Sequence, residues 1–140
     1  MPDVNVLVYA HRSEDPRHGR YAEWLNELTR GPEGFALSVL VAVGFVRVVT
    51  RPTASATPMS IALGFLEELA AQPLCRTVNP GRGHLDEVIR LCRAADVSGA
   101  TVADAQHAAM AIEHGCTFVT ADRDFARFAE HGLRWQHLDL

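Results

Sequence analysis

The chain contains no lysine: all 13 of its basic residues are arginine. That absence excludes chemistry built on a lysine amine, including Schiff-base catalysis, the phosphate-binding lysine of P-loops, and phosphoryl-aspartate sites completed by a lysine. Cysteine is scarce too. Cys75, Cys92 and Cys116 are odd in number, far apart and without a C-x-x-C pair, so neither a disulfide framework nor a zinc site is expected, and a reducing cytoplasm fits best. Long apolar runs are missing, the longest (Phe35 to Val46) being broken by Ser38 and Gly44, so no membrane span is expected. No signal peptide is expected either, because the N-terminus lacks a basic stretch and carries Asp3. Positive charge is in deficit: 17 acids against 13 bases give a formal net charge of −4. This is the wrong sign for coating nucleic acid through a broad basic surface, although it leaves room for a localised arginine-lined groove.

What is present fits one compact domain spanning residues 1–140. Of the 140 residues, 48% are hydrophobic and 21% charged. A chain of this length buries roughly two-thirds of its unfolded surface, so a metal is not needed merely to fold. Any metal must be argued from chemistry.

Short apolar runs alternate with amphipathic stretches. Asp15-Pro16 reads as a helix start, with Tyr21, Trp24, Leu25 and Leu28 on one face of a helix over Pro16 to Thr29, stopped by Gly31-Pro32. Phe35-Ala36-Leu37 reads as a strand, and Ser38 as the cap of a nearly all-apolar helix reaching Val49. Thr57-Pro58 opens a helix with Ile61, Leu63, Phe65, Leu66 and Leu69 as its apolar set, and Leu74 to Val78 reads as a strand. A helix over His84 to Ala95 presents Leu85, Val88, Ile89 and Cys92. Another runs from Thr101 to His114 and ends at Gly115. Cys116 to Thr120 reads as a buried strand, and Leu133 to Leu138 as a weaker last one. The alternation predicts an α/β domain with a short, mainly parallel sheet, whose ligands gather at the carboxyl ends of the strands.

Asp3, Asp122 and Asp124 fall at such ends, and Asp104 falls in the first turn of the Thr101 helix. Converging carboxylates repel and raise one another's pKa unless a cation is present; Mg²⁺, which prefers oxygen ligands, would make the arrangement tolerable and could activate water against a phosphodiester. Each acid also has a structural reading. Thr101-x-x-Asp104 matches a capping box, Asp3 and Asn5 match turn or cap residues ahead of Val6 to Tyr9, and Asp122 with Asp124 match an Asx turn. Singly each is more often structural; their coincidence favours function.

Three segments together resemble the PIN-domain family, and within it the VapC toxins of VapBC toxin–antitoxin modules. Asp3-Val-Asn5 resembles the family's D-x-N start. Asp104-Ala105 resembles its D-A-x-x-A-A helix, and Thr120-Ala-Asp122-Arg-Asp124-Phe125 resembles its T-x-D-x-D-F turn. The likeness spans the chain and is most specific over Thr101 to Phe128. It implies a three-layer α/β/α fold and a Mg²⁺- or Mn²⁺-dependent endoribonuclease that acts on RNA, forms a homodimer and is inhibited by a VapB-type antitoxin. Carried over by position, Asp3, Asp104 and Asp122 would be metal ligands, Asp124 a further acid at the site, and Asn5 and Thr120 supporting hydrogen-bonding residues.

Two departures qualify the likeness. The family carries a Glu on the helix after the second strand, and here Gly44 stands in its place, with no Asp or Glu between Glu33 and Glu67. This motivates an alternative: a degenerate PIN domain that binds RNA or antitoxin with weak or no cleavage. Only Met1-Pro2 precede Asp3, so the first strand is clipped or the start lies upstream. A receiver or phosphatase-like domain using Asp and Mg²⁺ is a third reading, opposed by the missing lysine. Arg47, on the apolar helix, could snorkel, pair with an acid or touch RNA phosphate, and Arg123 could meet phosphate or simply be an exposed turn residue. His107 and His114 are expected as surface or packing residues.

Overall fold

A computed structural model describes residues 1–140. The chain opens on a short parallel pairing: the Met1 ammonium donates to Thr117 O (3.0 Å), Val119 N–H to Met1 O (2.9 Å), and Asp3 N–H to Val119 O (2.8 Å). The first strand is reduced to a Pro2–Val119 bridge, because helix α1 (Val4–His11) begins immediately after Asp3. Helix α2 is His18–Arg30, starting two residues later than Asp15-Pro16 suggests because the Asp15 carboxylate turns back to accept the Arg17 N–H at 2.9 Å.

Strand β1 (Phe35–Ser38) leads into α3 (Val39–Val49), and Ser38 Oγ accepts the Leu40 N–H as the expected cap. Helix α4 (Met59–Ala70) follows, then β2 (Cys75–Val78), α5 (His84–Ala94), α6 (Thr101–Glu113), β3 (Phe118–Thr120) and β4 (Trp135–His137). The strands form two parallel ladders, β1 with β2 from Phe35–Cys75 to Ser38–Val78, and β3 with β4 from Phe118–Trp135 to Thr120–His137.

Alternating side chains sort the core into two halves. Phe35, Leu37 and Val119 face a cluster with α1 to α4 that contains Leu7, Val41, Phe45 and Leu69. Ala36 and Phe118 face the opposite cluster, with Leu91, Met110, Phe125 and Phe128. The result is the expected three-layer α/β/α arrangement. On α6, Ala105, Ala108, Ala109 and Ala111 are all fully buried, so small side chains bring that helix close against the sheet. This close approach sets the depth of Asp104.

Two apolar faces differ from the sequence reading. On α4 the inward set is Ala62, Phe65, Leu66 and Leu69, while Ile61 (57% exposed) and Leu63 turn outward. On α5 the buried residue is Leu91, supported by Val88 and Cys92, while Leu85 (68% exposed) and Ile89 face solvent. Both helices carry apolar residues on more than one face, so spacing alone does not select the buried stripe. A 3₁₀ stretch over Arg123–His131 also goes beyond the expected turn. Phe125 and Phe128 lie three residues apart, and in a three-residue period they eclipse and bury together.

Candidate active site

Asp3 joins the sheet to α1. Its Oδ1 accepts the Val4 N–H (2.6 Å) and caps the helix, while Oδ2 accepts the Thr120 hydroxyl (2.6 Å). Thr120, fully buried at the end of β3, is the hub of the site. Its Oγ1 donates to Asp3 and accepts from Asn5 Nδ2 (3.0 Å) and from the Asp122 N–H (3.0 Å), which uses its one donor and both lone pairs. Asn5 Oδ1 in turn accepts the Ala121 N–H at 3.2 Å. Asp122 Oδ1 accepts the Asp124 N–H (2.8 Å) and caps the 3₁₀ stretch, so the Asx-turn reading of that segment holds while the carboxylate still lines the site.

Asp104 does not form the capping box that its spacing with Thr101 allows. The Thr101 hydroxyl is occupied locally, accepting the Ser98 N–H (3.1 Å) and donating to Ser98 O (2.8 Å), and no hydrogen bond holds the Asp104 carboxylate. Asp104 instead faces a cavity of about 360 Å³ whose lining includes Asp3, Asn5, Tyr9, Arg47, His107 and Asp122. An acid in a first helical turn, with no cap to serve and a pocket in front of it, is available for a ligand.

The electrostatics tie the three acids together. Burial is the main force that pushes Asp3 up to about 6; hydrogen bonds from Thr120 and Val4 oppose it, and the charges of Asp104 and Asp122 add to it. Burial also raises Asp104, reinforced by Asp122 and Asp124 and opposed by Arg127. Asp3 therefore feels Asp104 and Asp122, and Asp104 feels Asp122.

The remaining candidates divide. Asp124 is exposed, pairs with Arg127 at 3.3 Å and lies outside the pocket lining, although its charge reaches Asp104. Arg123 is exposed and pairs with Asp139 at 3.0 Å. Arg47 lines the pocket and takes part in none of the chain's ion pairs. His114 is exposed, its ring Nε2 2.8 Å from Asn79 O. His107 packs as expected, stacked on Phe118 at 6.3 Å, but it also lines the pocket, a role the sequence reading missed. Its position one turn after Asp104 was the available signal. Burial, with the charge of Arg47, pulls its pKa down to about 4, and its buried Nδ1 has no hydrogen-bond partner.

Gly44 lies where α3 presses on α1. A Cβ there would stand 2.9 Å from Val4 Cγ2, so no side chain fits unless Val4 moves. Helix α3 consequently contributes Arg47 to the pocket and no acid.

The donor set suits a hard divalent cation in kind: three carboxylates, none of them in an ion pair and one without a hydrogen bond, share one pocket. It is not a closed cage, since no three His, Cys, Asp or Glu side chains converge as a metal-holding group. That openness matches Mg²⁺, which keeps waters and takes one or two carboxylates, with substrate phosphate completing its shell. Asp3, Asp104 and Asp122 are the residues that would hold it.

Known proteins show the same build. The PIN domain family matches residues 1–131. Ribonuclease VapC31 of Mycobacterium tuberculosis is 40% identical over 129 residues, 91% of each chain. VapC ribonuclease Mb2897 of Mycobacterium bovis is 39% identical over 137 residues, covering 96% of this chain and 92% of its own. Among solved structures, VapBC2 from Rickettsia felis bound to a promoter DNA fragment superposes with a TM-score of 0.74 at 18% identity, over 99% of this chain and 98% of that one. The sarcin–ricin loop cleaving toxin VapC20 of M. tuberculosis gives 0.68 at 15% identity, over 95% of each. The chain belongs to the PIN-domain family, in its VapC-type branch.

Proposed function

We propose that this chain is a Mg²⁺- or Mn²⁺-dependent endoribonuclease, the toxin of a type II toxin–antitoxin module, acting in the cytoplasm as a homodimer and restrained by a VapB-type antitoxin. The observation that carries this reading is the sharing of one pocket by Asp3, Asp104 and Asp122, with Asp3 raised to about 6 by burial and, in smaller part, by the other two charges. The ribonuclease names of relatives at 39–40% identity support it. Thr120 and Asn5 fix Asp3 and the Asp122 loop, so two carboxylates are preorganised. Asp104 keeps its rotamer freedom, and Arg47 offers an unpaired guanidinium for a phosphate oxygen. A divalent ion held there would activate water and neutralise charge developing on the phosphodiester.

Incubation of the purified protein with total RNA, with Mg²⁺ or EDTA, followed by mapping of new 5′ ends, tests the proposal. Cleavage is expected only with the metal and is expected to disappear in Asp104→Asn. An active Asp104→Asn protein would overturn the assignment. A second reading, a PIN domain that binds RNA or antitoxin without efficient cleavage, is favoured by the missing acid at Gly44 and the open metal site. RNA binding with no cleavage under any divalent ion would select it.

A further inference from the structure

At the far end of α1 from Asp3, the guanidinium of Arg17 lies over the ring of Tyr9, its Cζ 3.5 Å from the ring centroid. It is held there by a fork: Nε donates to Asp15 Oδ1 (2.8 Å) and one terminal nitrogen to Oδ2 (2.7 Å). The Arg17 backbone N–H donates to Oδ1 as well, so the acid is itself fixed in a turn. Tyr9 is braced edge-on by Tyr21 at 5.1 Å, and Tyr21 is tied through its hydroxyl to Leu138 O (2.7 Å). The stack is rigid, yet the Arg17 side chain is 46% exposed. Tyr9 covers one side of the guanidinium, and part of the group stays open to solvent.

Tyr9 belongs to the wall of the acidic pocket, on the same helix as Asn5. Tyr9 lies six positions along the chain from Asp3, about 9 Å along the helix axis. A nucleotide flanking a phosphodiester held at the carboxylates is within reach of this plane. The fork with Asp15 decides the chemistry. Two of the five guanidinium N–H donors are spent on Asp15, and the pair is charge-neutral, so little net charge remains to attract a second carboxylate. What remains is the flat guanidinium plane with its outward N–H edge, which suits stacking under a nucleobase.

We infer that Arg17, stacked on Tyr9 and fixed by Asp15, is a nucleobase platform that receives an unpaired base of single-stranded RNA beside the acidic pocket. This rests on the ribonuclease reading of that pocket. It assigns the substrate a feature the carboxylates cannot read: one flanking nucleotide must be free to leave its stack, and its base contributes through its π-face.

The test uses full-length Asp104→Asn protein, folding checked by circular dichroism, and fluorescence anisotropy with a single-stranded RNA that the unmodified protein cleaves, together with versions carrying one abasic nucleotide at each position. Adding Arg17→Lys keeps the charge but removes the plane; adding Asp15→Asn instead keeps the arginine but releases its fork. Arg17→Lys is expected to weaken binding of intact RNA by roughly 5- to 150-fold, the range for one stacked base. At one flanking position the abasic RNA should bind the Arg17 protein equally weakly and lose nothing further in Arg17→Lys, and Asp15→Asn should share that non-additivity. Equal losses on every abasic RNA, or no loss, would overturn the platform while leaving cleavage intact. So would unchanged RNA binding coupled with lost binding of a poly-glutamate peptide, which would assign Arg17 to an acidic protein partner. If the unmodified protein cleaves no RNA with Mg²⁺ or Mn²⁺, the underlying reading fails and the platform with it.

Discussion

At the scale of single residues, Thr120 carries the most consequence per atom. Its hydroxyl satisfies Asp3, Asn5 and the Asp122 N–H together, so Thr120→Val would keep the shape but leave several polar groups short of a partner in the interior. Urea unfolding should show a loss of about 2–4 kcal/mol, with Thr120→Ser close to the parent; a neutral Thr120→Val would mean that water replaces the hub. His107 makes a second case, through pH. Its folded pKa, about 4, lies below the unfolded value near 6.5, so its stability contribution is complete above 6.5 and is lost as pH falls through that window. The full effect is about 3 kcal/mol at most. Asp3 works in the opposite sense: its pKa is raised to about 6, so its contribution is present below about 3.8 and lost as pH rises through 6. The two offset over the same window. Metal-free protein should therefore show little change from these groups between pH 4 and 6.5, whereas His107→Gln should gain stability on acidification relative to the parent. Parallel pH profiles for the two proteins would remove His107 as a buried neutral imidazole.

At the scale of elements, Gly44 and Val4 read as one unit. Placing Glu at 44 forces a Cβ to 2.9 Å from Val4 Cγ2, and Val in a helix has little χ1 freedom with which to withdraw. Gly44→Glu alone should cost about 1–3 kcal/mol, as overpacking does, with no gain in cleavage. Val4→Ala in the same chain should recover much of that stability and give the added acid room to turn toward the pocket. A double-mutant cycle of denaturant midpoints measures this coupling, and additive effects would contradict it. The same pairing explains what was legible in the sequence. Position 44 was visible as a missing acid because a one-dimensional pattern records residue types. The reason for its absence lies across a helix interface, which no local pattern contains. Asp3, Asn5, Thr120 and Asp122 were legible because each sits at a strand or helix end, where local signals are strong. The inward faces of α4 and α5 were not, because Ile61, Leu63, Leu85 and Ile89 are as apolar as the residues actually buried. The Tyr9–Arg17 stack was hidden for a related reason: it joins two helices across a turn whose geometry depends on Asp15 folding back.

At the scale of the whole molecule, the formal charge of −4 opposes the approach of a polyanion such as RNA. One divalent ion changes the total to −2 (−4 + 2), and two change it to zero (−4 + 4). Helix α3 supplies no acid, so the pocket has Asp3, Asp104 and Asp122 to share, enough for one ion and thin for two. Calorimetric titration with Mn²⁺ is expected to give a stoichiometry near one per chain, weakened in Asp104→Asn. At one hundred times the dissociation constant the ion should stabilise the fold by about 2.7 kcal/mol, a rise in Tm of roughly 5 to 10 °C. Affinity for an uncleavable 2′-O-methyl RNA should increase over the same titration and saturate with it, because removing the local repulsion lets Arg47 in the pocket wall act on phosphate, and it should fall with added salt. Two ions bound with equal affinity would mean that another group completes a second site. RNA affinity indifferent to metal would mean that the substrate contacts the arginines without approaching the carboxylates, which would return the protein to the binding-only reading.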